Sequence, residues 1–194
     1  MTMSSLTRFA GLLALIGGAV WVIANLIQIV VPSPLTLIGL LGSVLLIGGA
    51  ALGLQRQIGA RSGALGRWGA IATAVGSVAI TAVLLLLVAT GQIDTPSTQS
   101  SAILQALFLV SALLWVVGSV AFALGLMRAK AISPIAGWLI VLGAVLGSVL
   151  LIADPQSASP IGFLPWLAYG AGWVLVGYAA RTPAGDPAIA AQDA

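Results

Sequence analysis

Six long stretches of this 194-residue chain are dominated by apolar residues and contain no charged side chain. They cover approximately residues 9–31, 35–54, 68–90, 102–127, 134–152 and 161–180. About 20 residues of α-helix span roughly 30 Å of hydrocarbon, and each stretch is close to that length or longer. Membrane strands would alternate apolar and polar residues over about 10 positions. These stretches are continuous instead. Lipid offers no partner for free backbone groups, so each stretch is expected to be helical. The chain therefore reads as an all-α, polytopic bundle of six transmembrane helices.

Composition closes the soluble alternative. Only 6% of residues are charged, and the mean hydropathy is +1.18. Seven basic and four acidic side chains cannot cover a water-facing surface at this length. The basic net charge of +3 would admit a nucleic-acid partner in a soluble protein. Here the basic residues sit between apolar stretches, so topology explains them and nucleic acid is not expected.

Turn chemistry separates the stretches. Val31-Pro32-Ser33-Pro34, Asp94-Thr95-Pro96-Ser97-Thr98 and Ala153-Asp154-Pro155-Gln156-Ser157 each combine proline with small polar residues. The linkers are short, which predicts antiparallel packing of consecutive helices. One membrane-embedded domain is expected over residues 1–180, followed by a short flexible tail over 181–194. The first stretch exceeds the usual length of a signal-peptide core and lacks a small-x-small cleavage site, so it reads as a retained helix.

Orientation follows from the cations. Arg8 precedes the first stretch. Arg56, Arg61 and Arg67 lie between the second and third, Arg128 and Lys130 between the fourth and fifth, and Arg181 after the sixth. All fall on one side of a six-span scheme, while Asp94 and Asp154 fall on the other. Both termini are expected in the cytoplasm, with the chain in the inner (plasma) membrane. Arginine in preference to lysine, with abundant alanine, suits a GC-rich bacterial genome.

The even helices end alike. Ala51-Leu52-Gly53-Leu54-Gln55-Arg56 matches Ala123-Leu124-Gly125-Leu126-Met127-Arg128, with a weaker echo in Val176-Gly177-Tyr178-Ala179-Ala180-Arg181. Val75-Gly76-Ser77-Val78 and Leu146-Gly147-Ser148-Val149 match in the odd helices. Three tandem helical hairpins would account for this. Chance is the competing explanation, because Leu, Gly and Ala dominate the matches.

Helices in lipid associate by close van der Waals contact, so small residues at helical spacing mark seams. Gly11, Ala14, Gly18, Trp21, Asn25 and Gln28 share one face of the first helix. Gly39, Gly42, Gly49 and Gly53 share one face of the second. The third carries Gly69, Thr73, Ser77 and Thr81 at steps of four, a spacing that suits right-handed crossings. Gly118 marks the fourth helix, Gly143 and Gly147 the fifth, and Gly170 and Gly177 the sixth. These seams serve a self-contained bundle, or a membrane protein partner or second copy.

Candidate functional residues are few. Asn25 and Gln28, one turn apart, and Gln105 are amides in the outer half of the layer. They either line a small polar pocket flanked by Asp94 and Asp154 or act as hydrogen-bonding glue. Residues 55–67, with three arginines, read as a loop that either sets topology or touches anionic headgroups. Trp68, Trp138 and Trp166 fall near span ends, where indole favours the interface. Trp21, Trp115 and Trp173 fall nearer mid-span, as packing bulk or as a stacking surface for a flat hydrophobic ligand.

Catalysis has little material. The chain has no His or Cys to serve as base, nucleophile or metal ligand, and no cofactor or metal is expected. No ionisable group lies within a span, which argues against ion-coupled transport. No span is visibly broken by an internal proline. The expected role is a non-catalytic accessory or scaffolding subunit acting through helix contacts. The alternative is a transporter or channel for a small neutral or lipidic solute.

Overall fold

The computed structural model describes residues 3–31, 34–90, 102–153 and 160–181. Those residues are helical throughout apart from short turns. The six α-helices are α1 (Met3–Val30), α2 (Pro34–Ile58), α3 (Gly63–Ala89), α4 (Ala102–Arg128), α5 (Pro134–Ala153) and α6 (Pro160–Arg181). A single 3-10 turn, Gly59–Ser62, joins α2 to α3. Five helices are long and apolar enough to cross a bilayer. In α5 the apolar stretch covers at least Pro134–Leu150 among the described residues. The whole helix has 20 residues, enough for roughly 30 Å of rise. It packs between α4 and α6, so it traverses the same layer.

The helices form a closed ring. Each packs on its neighbour in sequence, and α1 completes the circle against α6. Glycines make the tightest approaches. On α3, Gly66, Gly69, Thr73 and Gly76 face Gly125, Phe122, Gly118 and Trp115 of α4. As one number rises by three or four, the other falls by the same step, which is the register of an antiparallel pair. A Cβ on Gly76 would lie 2.6 Å from the Trp115 nitrogen, and one on Gly125 would lie 2.5 Å from the Gly66 Cα. Backbone against backbone leaves no room for any side chain there.

The α1–α6 contact is built the same way. A Cβ on Gly18 would meet the Gly170 carbonyl oxygen at 2.6 Å, and Gly177 sits against the backbone of Leu15 and Gly11. Gly143 of α5 abuts the backbone of Tyr169 and Pro165, and Gly147 lies under the Trp166 ring. Thus Gly18, Gly118, Gly143, Gly147, Gly170 and Gly177 all close contacts inside the ring.

Three expectations change. The α3 stripe at steps of four divides: Gly69 and Thr73 belong to the seam with α4, while Ser77 meets Gly48 of α2. Thr73 donates to the Gly69 carbonyl at 2.8 Å, Ser77 to Thr73 at 2.8 Å and Thr81 to Ser77 at 2.9 Å. The hydroxyls satisfy themselves on their own helix, and the contact with α4 uses mixed steps of three and four. Residues 55–67 are not a long loop, because helix continues to Ile58 and resumes at Gly63. Backbone hydrogen bonds let a helix extend beyond the apolar core while its arginines reach water. Finally, Pro165 does lie inside α6. Its missing N–H removes one bond of the first turns without ending the helix.

The α4–α5 turn is also tied down. Ala131 N–H bonds the Leu126 carbonyl at 3.0 Å and Lys130 N–H bonds Met127 at 3.0 Å, with Lys130 at φ 52°. This is a Schellman closure with lysine where glycine is usual. Ser133 then caps α5, its Oγ accepting from Ala136 N–H at 3.2 Å just before Pro134.

The cations gather at one end of the bundle. Arg8 and Arg181 line one surface groove, and Arg61 and Arg128 line another. Arg56 and Arg67 share a third. The Ala10 side chain lies against Gly53, which brings the start of α1 to the end of α2. Asp94 and Asp154 lie outside the described residues, as does the tail beyond Arg181.

Candidate functional sites

The centre of the ring is filled by aromatic rings from three non-consecutive helices. Trp21 of α1, Trp115 and Phe122 of α4, and Trp166, Tyr169 and Trp173 of α6 form one continuous cluster. Trp115 lies 5.0 Å from Tyr169 and 5.3 Å from Trp21 between ring centroids. Trp21 lies 5.7 Å from Trp166. Phe122 stacks on Trp173 at 6.0 Å, and Tyr169 reaches Trp173 at 6.4 Å. Offset and edge-on pairs of this kind are each worth about 0.5–1.5 kcal/mol beyond burial.

Small residues make this column possible. Gly76 admits Trp115, Gly147 admits Trp166 and Gly170 admits Trp21. Polar atoms of the cluster are partly matched. The Trp21 indole N–H donates to the Trp166 carbonyl at 2.8 Å, and the Tyr169 and Ser119 hydroxyls bond at 3.1 Å. The indole nitrogens of Trp115 and Trp173 have no hydrogen-bond partner among the described residues.

Trp166, read from its position near a span end as favouring the interface, is partly buried and packs against this core. A tryptophan four or five residues from a span end can turn inward, and position alone does not say which way it faces. Trp68 and Trp138 are exposed near the cationic end, where interfacial indoles are favoured.

The amides behave differently from one another. Asn25 is buried, and its Nδ2 donates to the Trp21 carbonyl of the same helix at 2.8 Å. The Gln28 carbonyl oxygen accepts from the buried Thr36 hydroxyl across the α1–α2 hairpin. Gln105 is half-buried on α4 and has a polar contact of its own. Polar atoms of Asn25 and Gln28 are thus engaged within α1 and α2. Thr36→Val removes the cross-hairpin bond at nearly constant volume. It is expected to lower stability by about 1 kcal/mol in a denaturant titration in mixed micelles, the usual scale of an interhelical bond in lipid.

The α2 seam splits in two. Gly39 faces Ala24, Gly53 faces Ala10 and Gly48 faces Ser77. Gly42 has nothing within 4 Å of an added Cβ, and Gly49 meets only the tip of Leu13 at 3.5 Å. Ile38, Leu45 and Leu52 are exposed on the same face. The series 38, 42, 45, 49, 52 alternates steps of four and three, the spacing of a left-handed helix seam. Three residues carry the helix through about 300°, so Gly39 and Gly42 point about 60° apart, and one sequence stripe serves two directions.

The cationic end is shaped by two glycines in the left-handed region, Gly59 at φ 54° and Gly63 at φ 65°. They turn the chain sharply at each end of the 3-10 segment. Ser62 Oγ lies 3.0 Å from both Gln55 Oε1 and the Gly59 carbonyl, locking the turn. Arg61, Arg67 and Arg128 remain exposed, and the Arg67 guanidinium lies 5.9 Å from the Trp68 ring centroid. Beside them a groove of about 720 Å³ runs along the outside of the α3–α4 pair.

No protein-family model, curated protein or solved structure matches this chain. Its function is read from the geometry alone.

Proposed function

We propose that this multi-pass membrane protein is a non-catalytic scaffolding or accessory subunit that docks another membrane helix on α2. Both termini would face the cytoplasm from the inner (plasma) membrane, since the positive-inside bias places the arginine-bearing end there. The observation that carries the reading is the open seam of Gly42 and Gly49 between Ile38, Leu45 and Leu52. The other seam glycines named from the sequence are met by a neighbouring helix, while Gly42 has nothing within 4 Å of an added Cβ and the exposed Gly49 meets only the tip of Leu13. Such a surface lets a second helix approach closely, which is how association is driven in lipid. The filled aromatic centre supports the same reading, because it occupies the axis along which a solute would pass.

The test is native mass spectrometry of the chain released in mild detergent. A stoichiometric protein partner, either a different chain or a second copy, is expected. Gly42→Leu places a side chain in open space, so the unfolding midpoint should stay within about 1 °C while the partner is lost. A monodisperse single chain from lipid nanodiscs, with no associated protein, would falsify the reading.

A further inference from the structure

The groove beside Arg61 and Arg128 has a combination of features that the scaffold reading does not use. Its lining is otherwise largely apolar, with Trp68 and Ala72 of α3 and Val117 and Ala121 of α4. Small side chains flank the α3–α4 seam, and the close helix approach leaves a trough between the bulkier neighbours. Arg61, on the 3-10 turn, and Arg128, the last residue of α4, both border the trough at the cationic end. Neither is in an ion pair among the described residues, which contain no Asp or Glu at all. Among the described residues, two guanidinium groups without a counter-charge lie next to a lipid-facing apolar channel, close to Trp68.

We propose that this groove is a binding site for an anionic phospholipid. The phosphate-bearing headgroup sits between Arg61 and Arg128, and an acyl chain lies along Ala72, Val117 and Ala121. Guanidinium matches phosphate oxygens in paired hydrogen bonds, which a lysine ammonium at the same place would not do. The locked turn fixes Arg61 in advance, because Gly59, Gly63 and the Ser62–Gln55 bond hold the backbone that carries it. A zwitterionic headgroup would bring a cation into the same space and lose the preference. The site stands on observations independent of the α2 seam.

The test titrates the purified full chain with phosphatidylglycerol and with phosphatidylcholine of identical acyl chains, and reads retained lipid by native mass spectrometry. The wild type is expected to prefer the anionic lipid by roughly tenfold, since each basic residue near the surface contributes about a decade or less. Arg61→Gln with Arg128→Gln should abolish that preference. Arg8→Gln with Arg181→Gln, an equal loss of charge elsewhere on the same end, should leave most of it. Ala121→Trp fills the trough with both arginines intact and should also reduce retention. The proposal is overturned by an equal effect of the two arginine pairs, by full retention in Ala121→Trp, or by displacement of the lipid with inorganic phosphate alone. Tryptophan fluorescence of each variant checks that the aromatic core is intact.

Discussion

Gly69→Ala is expected to destabilise the bundle by about 1–3 kcal/mol, and Gly69→Leu to prevent its accumulation. The added carbon would lie against the Phe122 nitrogen and 2.8 Å from the Ala121 carbonyl carbon, with nothing but backbone in its way. A flexible side chain could swing aside; a helix backbone can only retreat. Retreat would part α3 from α4 along Gly66, Gly76, Gly118 and Gly125 as well, and lose dispersion contacts that have no substitute in lipid. Gly118→Ala should behave alike, because its carbon would lie against the Thr73 nitrogen and 2.8 Å from the Ala72 carbonyl carbon. Gly42→Ala supplies the contrast, with an expected change below about 0.5 kcal/mol. Denaturant unfolding in mixed micelles, followed by tryptophan fluorescence, measures all three. Equal stability of Gly69→Ala and Gly42→Ala would show that the α3–α4 backbones are not in contact.

Trp173→Ala is expected to cost about 3–5 kcal/mol, the range for removing a buried aromatic side chain without full collapse. Trp173 is completely buried and touches Phe122 on one side and Tyr169 on the other. Its loss would open a void on the ring axis, where glycine contacts of α4 with α3 and of α6 with α1 already fix the backbones. The neighbours therefore cannot close in. Trp173→Phe keeps part of the stack and should recover more than half of the loss. Tyr169→Phe tests the polar part: it removes the bond to Ser119 and should cost about 1 kcal/mol or less. A Trp173→Ala variant as stable as the wild type would mean that the axis is not closed by this column.

Much of the architecture is legible in the sequence because lipid imposes a simple rule on length and charge. The six helices begin and end close to the apolar stretches, and the arginines that interrupt those stretches meet at one end. Direction around each helix is harder to read. In a soluble bundle the polar face reveals the outside, but here both faces are apolar. Gly42 and Gly39 therefore look alike in sequence, although one faces open space and the other Ala24. Thr73 and Ser77 look like one crossing motif, but Thr73 meets Gly118 of α4 and Ser77 meets Gly48 of α2, with both hydroxyls bonded within α3. Trp166 looks interfacial and points inward. The groove at Arg61 is invisible in one dimension, since it requires a turn, the end of a distant helix and the small residues between them.

The ring closes where α1 meets α6, and that junction has a bearing on biogenesis. The ribosome delivers α1 well before α6. The surface carrying Gly11, Gly18 and Trp21 therefore waits in the bilayer through synthesis of every intervening hairpin before its mate emerges. An insertase, or a transient lipid neighbour, must shelter it meanwhile, and a nascent chain arrested before α6 should be an easy target for membrane quality-control proteases.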